Sequence, residues 1–164
     1  ASFDDPNPII FFEHKALYRS ISGQVPEGDY SIEIGKARLV QEGNDVSIIT
    51  YGAGVHWATE YAEKHPELSI DIVDLRTLLP LDYEAIKASV LRTGKVMILH
   101  EDTLIAGIGG ELSAWITENC FDKLDAPVLR CASLDTPIPF SIELEQNFLA
   151  KGRMDEVMNK LMNY

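Results

Sequence analysis

Apolar residues recur along this chain in two alternating rhythms. Val46-Ser47-Ile48-Ile49-Thr50-Tyr51, Ile70-Asp71-Ile72-Val73-Asp74-Leu75, Val96-Met97-Ile98-Leu99-His100 and Val128–Ala132 are short runs, most of them rich in β-branched residues. That is the pattern of strands buried on both faces. Between them the apolar positions fall at helical spacing. The spacing predicts helices over Val55 to His65, closed by Pro66, and over Asp82 to Leu91, with Asp82 as N-cap and Gly94 just past the end. A third runs from Ile108 to Phe121, and a terminal one from Gly152 to Asn163 carries Met154, Val157, Leu161 and Met162 on one stripe. Strand and helix alternating in this way build βαβ units with right-handed crossovers. The expectation is a three-layer α/β domain, a mostly parallel sheet between two helical layers. An additional strand near Ala37–Gln41 is expected to pair antiparallel, because only the short Glu42–Asp45 connection joins it to the next strand.

The first 45 residues depart from this rhythm. Ala1 to Pro8 is polar with two prolines, and Ile9-Ile10-Phe11-Phe12 then reads as a short buried strand. From Ser20 to Gly35 the chain carries Gly23, Pro26, Gly28 and Gly35 with few apolar residues. A loop of that length is usually functional or docks onto something else. The division is therefore an N-terminal arm, residues 1–35, and a folded domain, residues 36–164.

Charge narrows the classes of partner. Lys and Arg number 14 against 26 Asp and Glu, a formal net charge of −12. Nucleic acid and anionic membrane need clustered cations, so neither suits this chain, whereas a basic protein partner does. Cys120 and Cys131 sit inside apolar runs, as buried free thiols of a reducing compartment do. No run approaches the roughly 18 apolar residues that span a bilayer. The expectation is a soluble, intracellular protein.

Chemistry-bearing patterns are scarce. Gly52-Ala53-Gly54-Val55-His56-Trp57 follows a strand and opens a helix, as a dinucleotide fingerprint does, but Trp57 stands where a third small residue should permit close packing. Gly107-Ile108-Gly109-Gly110 likewise precedes a helix, with Leu112 at that position. Both read more simply as tight turns feeding helices. A free-standing nucleotide- or flavin-binding module remains the different-class alternative. His14, His56, His65 and His100 lack metal-ligand spacing, and no nucleophile elbow is present. His100-Glu101-Asp102, at the end of a strand, either lines a ligand site or forms a charged turn facing a neighbouring subunit. Asp74 and Arg76 read as a structural ion pair. Trp57 and Trp115 are core residues or interface anchors.

Laid side by side, several stretches resemble one family. They are Asp5-Pro6-Asn7-Pro8-Ile9-Ile10-Phe11-Phe12-Glu13, Leu17-Tyr18-Arg19, Glu42-Gly43 with Asp45-Val46, Asp74-Leu75-Arg76-Thr77-Leu78 with Pro80-Leu81-Asp82, Thr93-Gly94, and Leu124-Asp125-Ala126-Pro127. Together they resemble the C-terminal, transketolase-C-type half of the beta subunit of a 2-oxo acid dehydrogenase first component. His14-Lys15, Val40-Gln41-Glu42-Gly43 and the Asn163-Tyr164 ending lean towards the branched-chain (2-oxoisovalerate) enzyme over the pyruvate and acetoin ones.

The resemblance implies a parent enzyme that decarboxylates a 2-oxo acid on thiamine diphosphate and magnesium and passes the acyl group to a lipoyl acyltransferase. It implies that the cofactor lies outside this chain, on a preceding pyrimidine-binding domain and an alpha subunit, so that the fragment is inactive alone and has no catalytic or cofactor-binding residue of its own. In branched-chain relatives a structural potassium ion is bound just before the Ile-Phe-Phe-Glu stretch. Asp5 and Asn7 match its last two pattern positions, and Ser2 stands where a cysteine is expected; the alternative is that Asp5 and Asn7 are ordinary turn residues. The resemblance further implies contact with a second beta subunit, an alpha subunit and a small basic binding domain of the acyltransferase. Asp125 and the terminal carboxylate of Tyr164 are the candidates for meeting that basic domain. A bacterial cytoplasm or a mitochondrial matrix is the implied compartment.

Overall fold

The computed structural model describes all 164 residues. Five strands, β1 Arg38–Gln41, β2 Val46–Thr50, β3 Ile70–Asp74, β4 Val96–Thr103 and β5 Leu129–Ser133, form one sheet in the order β1-β3-β2-β4-β5. Strands β2 to β5 run parallel and β1 is antiparallel. Helices α2 Ala53–Lys64, α3 Tyr83–Thr93 and α4 Ile108–Cys120 follow β2, β3 and β4, as the alternating pattern predicts. The chain ends with the short α5 Ile142–Phe148 and with α6 Met154–Met162.

Burial explains why the central strands carry apolar residues at every position: all five residues of β2 are buried. On one side α2 and α6 cover a cluster that includes Ile48, Ile72, Leu99, Met158 and Leu161. On the other, α3 and α4 cover Ile49, Val73, Ile98, Leu112 and Ile116. Cys131 lies in the first cluster and Cys120 in the second, so the sheet separates the two free thiols.

Local signals set the helix ends. Asp82 accepts a hydrogen bond from the Ala85 amide and caps α3, and Gly94 closes it at φ 65°. Between α3 and the sheet lies a polar network that the hydrophobic pattern hides. Asp71, with no exposure, accepts hydrogen bonds from the Gly43 amide (3.1 Å) and Ser89 Oγ (2.5 Å), and pairs with Arg92. Ser47 Oγ and Thr93 Oγ1 extend the network at 2.7 Å.

Four expectations need correction. The antiparallel partner of β1 is β3, because β2 already has parallel neighbours on both sides and β3 is the edge strand beside it. Gly43 makes that route possible: a Cβ there would stand 2.2 Å from the Ile70 carbonyl carbon. Ile9-Ile10-Phe11-Phe12 forms no strand and is exposed. The terminal helix starts at Met154, preceded by a 3-10 turn over Ala150–Arg153. Helix α5 lies outside the elements the apolar pattern predicts, and its cap is the Ser141 side chain accepting from the Leu144 amide.

Residues 1–35 contain a single helical turn, α1 Leu17–Ser20, with no buried residue. The arm meets the domain at the carboxyl edge of the sheet. His14 Nε2 lies 2.9 Å from Glu101 Oε2, and the Gly35 amide donates to Thr77 Oγ1 at 3.1 Å. The Ala37 amide then donates to Asp82 Oδ2 at 3.0 Å.

Candidate functional site

The two edges of the sheet divide the candidate residues. Asp125 lies at the amino-terminal edge, where its amide donates to the Gly94 carbonyl at 2.8 Å, just before β4. Its carboxylate sits over the left-handed Gly94 that ends α3, with Oδ2 only 2.3 Å from where a glycine Cβ would stand. That places a negative charge against the negative end of a helix dipole. No cation of the chain pairs with it. Helix α6 begins beside the end of α2, where His65 Nε2 meets Asp155 at 3.5 Å. Tyr164, two residues beyond α6, is exposed.

The proposed cation residues lie on the arm. Asp5 Oδ1 accepts from both the backbone amide and Nδ2 of Asn7, at 2.8 and 3.0 Å, which holds the Asp5 carboxyl below its ordinary range. Ser2 bonds neither residue. Asp5, without Ser2 or Asn7, lines an open depression of about 520 Å³ together with Ser31, Glu33 and Ile34. The turn unites Asp5 and Asn7 and leaves Ser2 out, so these residues fit at most part of a cation's oxygen shell. No group of three His, Cys, Asp or Glu side chains converges anywhere in the chain as a transition-metal site requires.

His100-Glu101-Asp102 separates into individual roles. His100 is fully buried beneath Gly107 and Gly109, either of which would collide with its ring if it carried a Cβ. Its Nδ1 bonds the Asp102 carbonyl oxygen at 3.1 Å, its Nε2 has no partner, and burial lowers its pKa. A neutral imidazole donating from Nδ1 satisfies these facts. Glu101 instead holds the arm through His14, a contact between residues 87 positions apart that no sequence spacing reveals.

Asp74 and Arg76 do come together. Asp74 Oδ1 accepts from the Arg76 amide at 3.1 Å, and Arg76 Nε lies 3.9 Å from Asp74 Oδ2. Trp57 is half-buried against the α2–α6 core, whereas Trp115 stacks on Tyr83 with ring centroids 4.5 Å apart.

Comparison with known proteins agrees with this architecture. Residues 35–153 match the family model "Transketolase, C-terminal domain". The chain belongs to that family. Curated relatives of this transketolase C-terminal domain include the 2-oxoisovalerate dehydrogenase subunit beta of Bacillus subtilis, 42% identical over 168 residues, covering 100% of this chain and 51% of the relative. The mitochondrial 2-oxoisovalerate dehydrogenase subunit beta of Dictyostelium discoideum is 44% identical over 146 residues, 87% of this chain and 40% of the relative. The pyruvate dehydrogenase E1 component subunit beta of B. subtilis is 46% identical over 139 residues, 84% of this chain and 43% of the relative. The chain thus spans about half the length, or less, of these relatives. Among solved structures, a split-gene transketolase described as an inactive beta4 tetramer superposes with a TM-score of 0.68 at 24% identity, over 86% of this chain and 46% of that one. At that identity the likeness speaks for the fold alone. No helix of this transketolase C-terminal domain is long and apolar enough to cross a membrane.

Proposed function

We propose that this chain is the C-terminal part of the beta subunit of a 2-oxo acid dehydrogenase, and that its task is assembly and partner docking rather than chemistry. The parent enzyme would bind thiamine diphosphate and magnesium outside these residues, oxidatively decarboxylate a branched-chain 2-oxo acid and transfer the acyl group to a lipoyl acyltransferase. Pyruvate is the alternative substrate, because the pyruvate dehydrogenase relative is as similar as the 2-oxoisovalerate ones. A bacterial cytoplasm or mitochondrial matrix fits the sources of those relatives.

One observation carries the docking role: the Asp125 carboxylate is exposed, unpaired and held against the negative end of α3. A cation arriving there from outside would relieve an unfavourable local field. The arm supports assembly. Phe3, Ile10, Phe11, Phe12, Val25 and Tyr30 are all exposed, far more apolar surface than a solitary domain keeps. In this reading residues 1–35 link the domain to a preceding pyrimidine-binding domain, and alpha and second beta subunits complete the covering. Asp5 and Asn7, with Ser2 beside them in sequence, would contribute to a potassium site only when that preceding part is present.

The test is calorimetric titration of the chain with the basic binding domain of its acyltransferase, at low and moderate salt. Saturable heat that weakens with salt and with Asp125→Ala is expected. No heat from a chain shown to be folded would overturn the docking role.

A further inference from the structure

Strand β4 leaves its ladder at the one buried histidine. Between Leu99 and Thr103 it advances four residues while β5 advances two, from Cys131 to Ser133, so His100, Glu101 and Asp102 form a bulge. His100 ties that bulge together. Its ring lies on the α4 face of the sheet, beside Ile98, and its Nδ1 meets the Asp102 carbonyl oxygen at 3.1 Å. The bulge also presents Glu101 to His14, the only ion pair between the arm and the domain.

Nothing around the ring accepts a second proton. His100 has no exposure, and its Nε2 has no hydrogen-bond partner. A Cβ on Gly109 would stand 2.3 Å from Nε2, and one on Gly107 2.7 Å from Cε1, so the first turn of the thirteen-residue α4 closes directly over the imidazole. That turn is the positive end of a helix dipole, where a cation is unfavourable. Burial lowers the His100 pKa; Asp102 of the bulge opposes that shift, and Arg130 of β5 adds to it. The cover itself is lightly built. Ala106 holds a left-handed φ of 63°, and Ile105 is exposed. Two bonds retain the loop: Arg130 Nη1 to the Leu104 carbonyl at 3.0 Å, and the Ile105 amide to Asp135 Oδ1 at 2.7 Å.

We propose that His100 is an acid-operated latch: once protonated it no longer stays beneath α4, and the segment from Glu101 to Gly109 opens locally, ahead of the rest of the sheet. Neutral, the ring donates to the Asp102 carbonyl and lets the glycines close over it. Protonated, it carries a charge and a second N–H with no acceptor, and only water reaching it through a lifted segment relieves that cost. The sign follows from the lowered pKa of the closed form. Closure keeps its full advantage above the ordinary value near 6.5 and loses it as pH falls from there. Opening carries Glu101 away from His14, so the arm loses its ion pair to the domain in the same event. The latch is independent of the docking role, which rests on Asp125.

The test is amide hydrogen exchange of the chain from pH 7.5 to pH 4.5, corrected for intrinsic exchange rates. Protection of residues 101–109 should lie well below that of β2 and β3 at every pH, the mark of local opening. It should begin to fall near pH 6.5 and drop by about tenfold per pH unit, the limit for one linked proton. His100→Gln keeps a side-chain N–H for the Asp102 carbonyl but cannot titrate, and it should abolish that fall. Should this variant not fold, the native profile still decides, because an onset below pH 5 belongs to carboxylates and overturns the latch. Protection equal to that of β2 and β3 would mean that His100 is exposed only by global unfolding, and it too would overturn the latch. So would a pH dependence that persists in His100→Gln.

Discussion

Arg92, in the last turn of α3, closes over the carboxylate of Asp71, a residue with no solvent exposure in β3. The pair fastens a helix to the sheet through a buried charge, and the cost of separating the partners is asymmetric. Arg92→Ala should destabilise the domain by about 3–5 kcal/mol, because Asp71 would remain buried without its counter-charge. Exchanging both for apolar residues of similar volume should cost much less. Urea denaturation of the two variants measures the difference; equal losses would show that packing, and not charge, dominates there.

The arm depends on a weaker contact. His14–Glu101 is half exposed, and pairs of that kind contribute at most about 1 kcal/mol. Glu101→Gln should leave the denaturation midpoint nearly unchanged while speeding tryptic cleavage after Lys15 and Arg19. Unaltered cleavage would mean that the arm is held by Gly35 and Ala37 alone.

Acid should find His100. Burial depresses its pKa in the folded state, so the unfolded chain binds the extra proton more readily. The stability this neutral imidazole preserves is present above its ordinary value near 6.5 and is lost as pH falls from there through the folded pKa. Thermal midpoints between pH 7 and pH 5 should therefore fall more steeply for the native chain than for His100→Gln. Parallel curves would refute the assignment.

Both thiols should be inert. Burial pushes Cys131 up to about 11 and raises Cys120 as well, so neither supplies thiolate at neutral pH. A chromogenic disulfide reagent at pH 8 should label neither residue until denaturant is added, and then both.

Much of the fold was legible in the sequence because each central strand is buried on both sides and each crossover helix has one apolar face, so periodicity and packing carry the same message. Asp82 and Gly94 announced the ends of α3 through capping chemistry, which is local. The failures were non-local. The short link from Gln41 to Val46 suggests a hairpin, but β3 and β4 occupy both sides of β2, and the absence of a side chain at Gly43 lets the chain cross to β3. Ile9–Phe12 has the composition of a strand and no neighbour to pair with. The Asp71 network and the His14–Glu101 contact join residues 18 to 87 positions apart, beyond any spacing rule. Of the candidate sites, Asp125 and Tyr164 came from resemblance alone, and only the fold shows that the Asp125 carboxylate sits over Gly94 at the end of α3.

The arm joins the domain at the carboxyl edge of the sheet, and Asp125 lies exposed at the amino edge. Strands of five residues separate those edges by roughly 17 Å. A molecule meeting Asp125 would therefore approach at the edge of the sheet away from the arm. The sheet is thus a rigid spacer that holds the arm and the Asp125 surface at opposite ends of the domain.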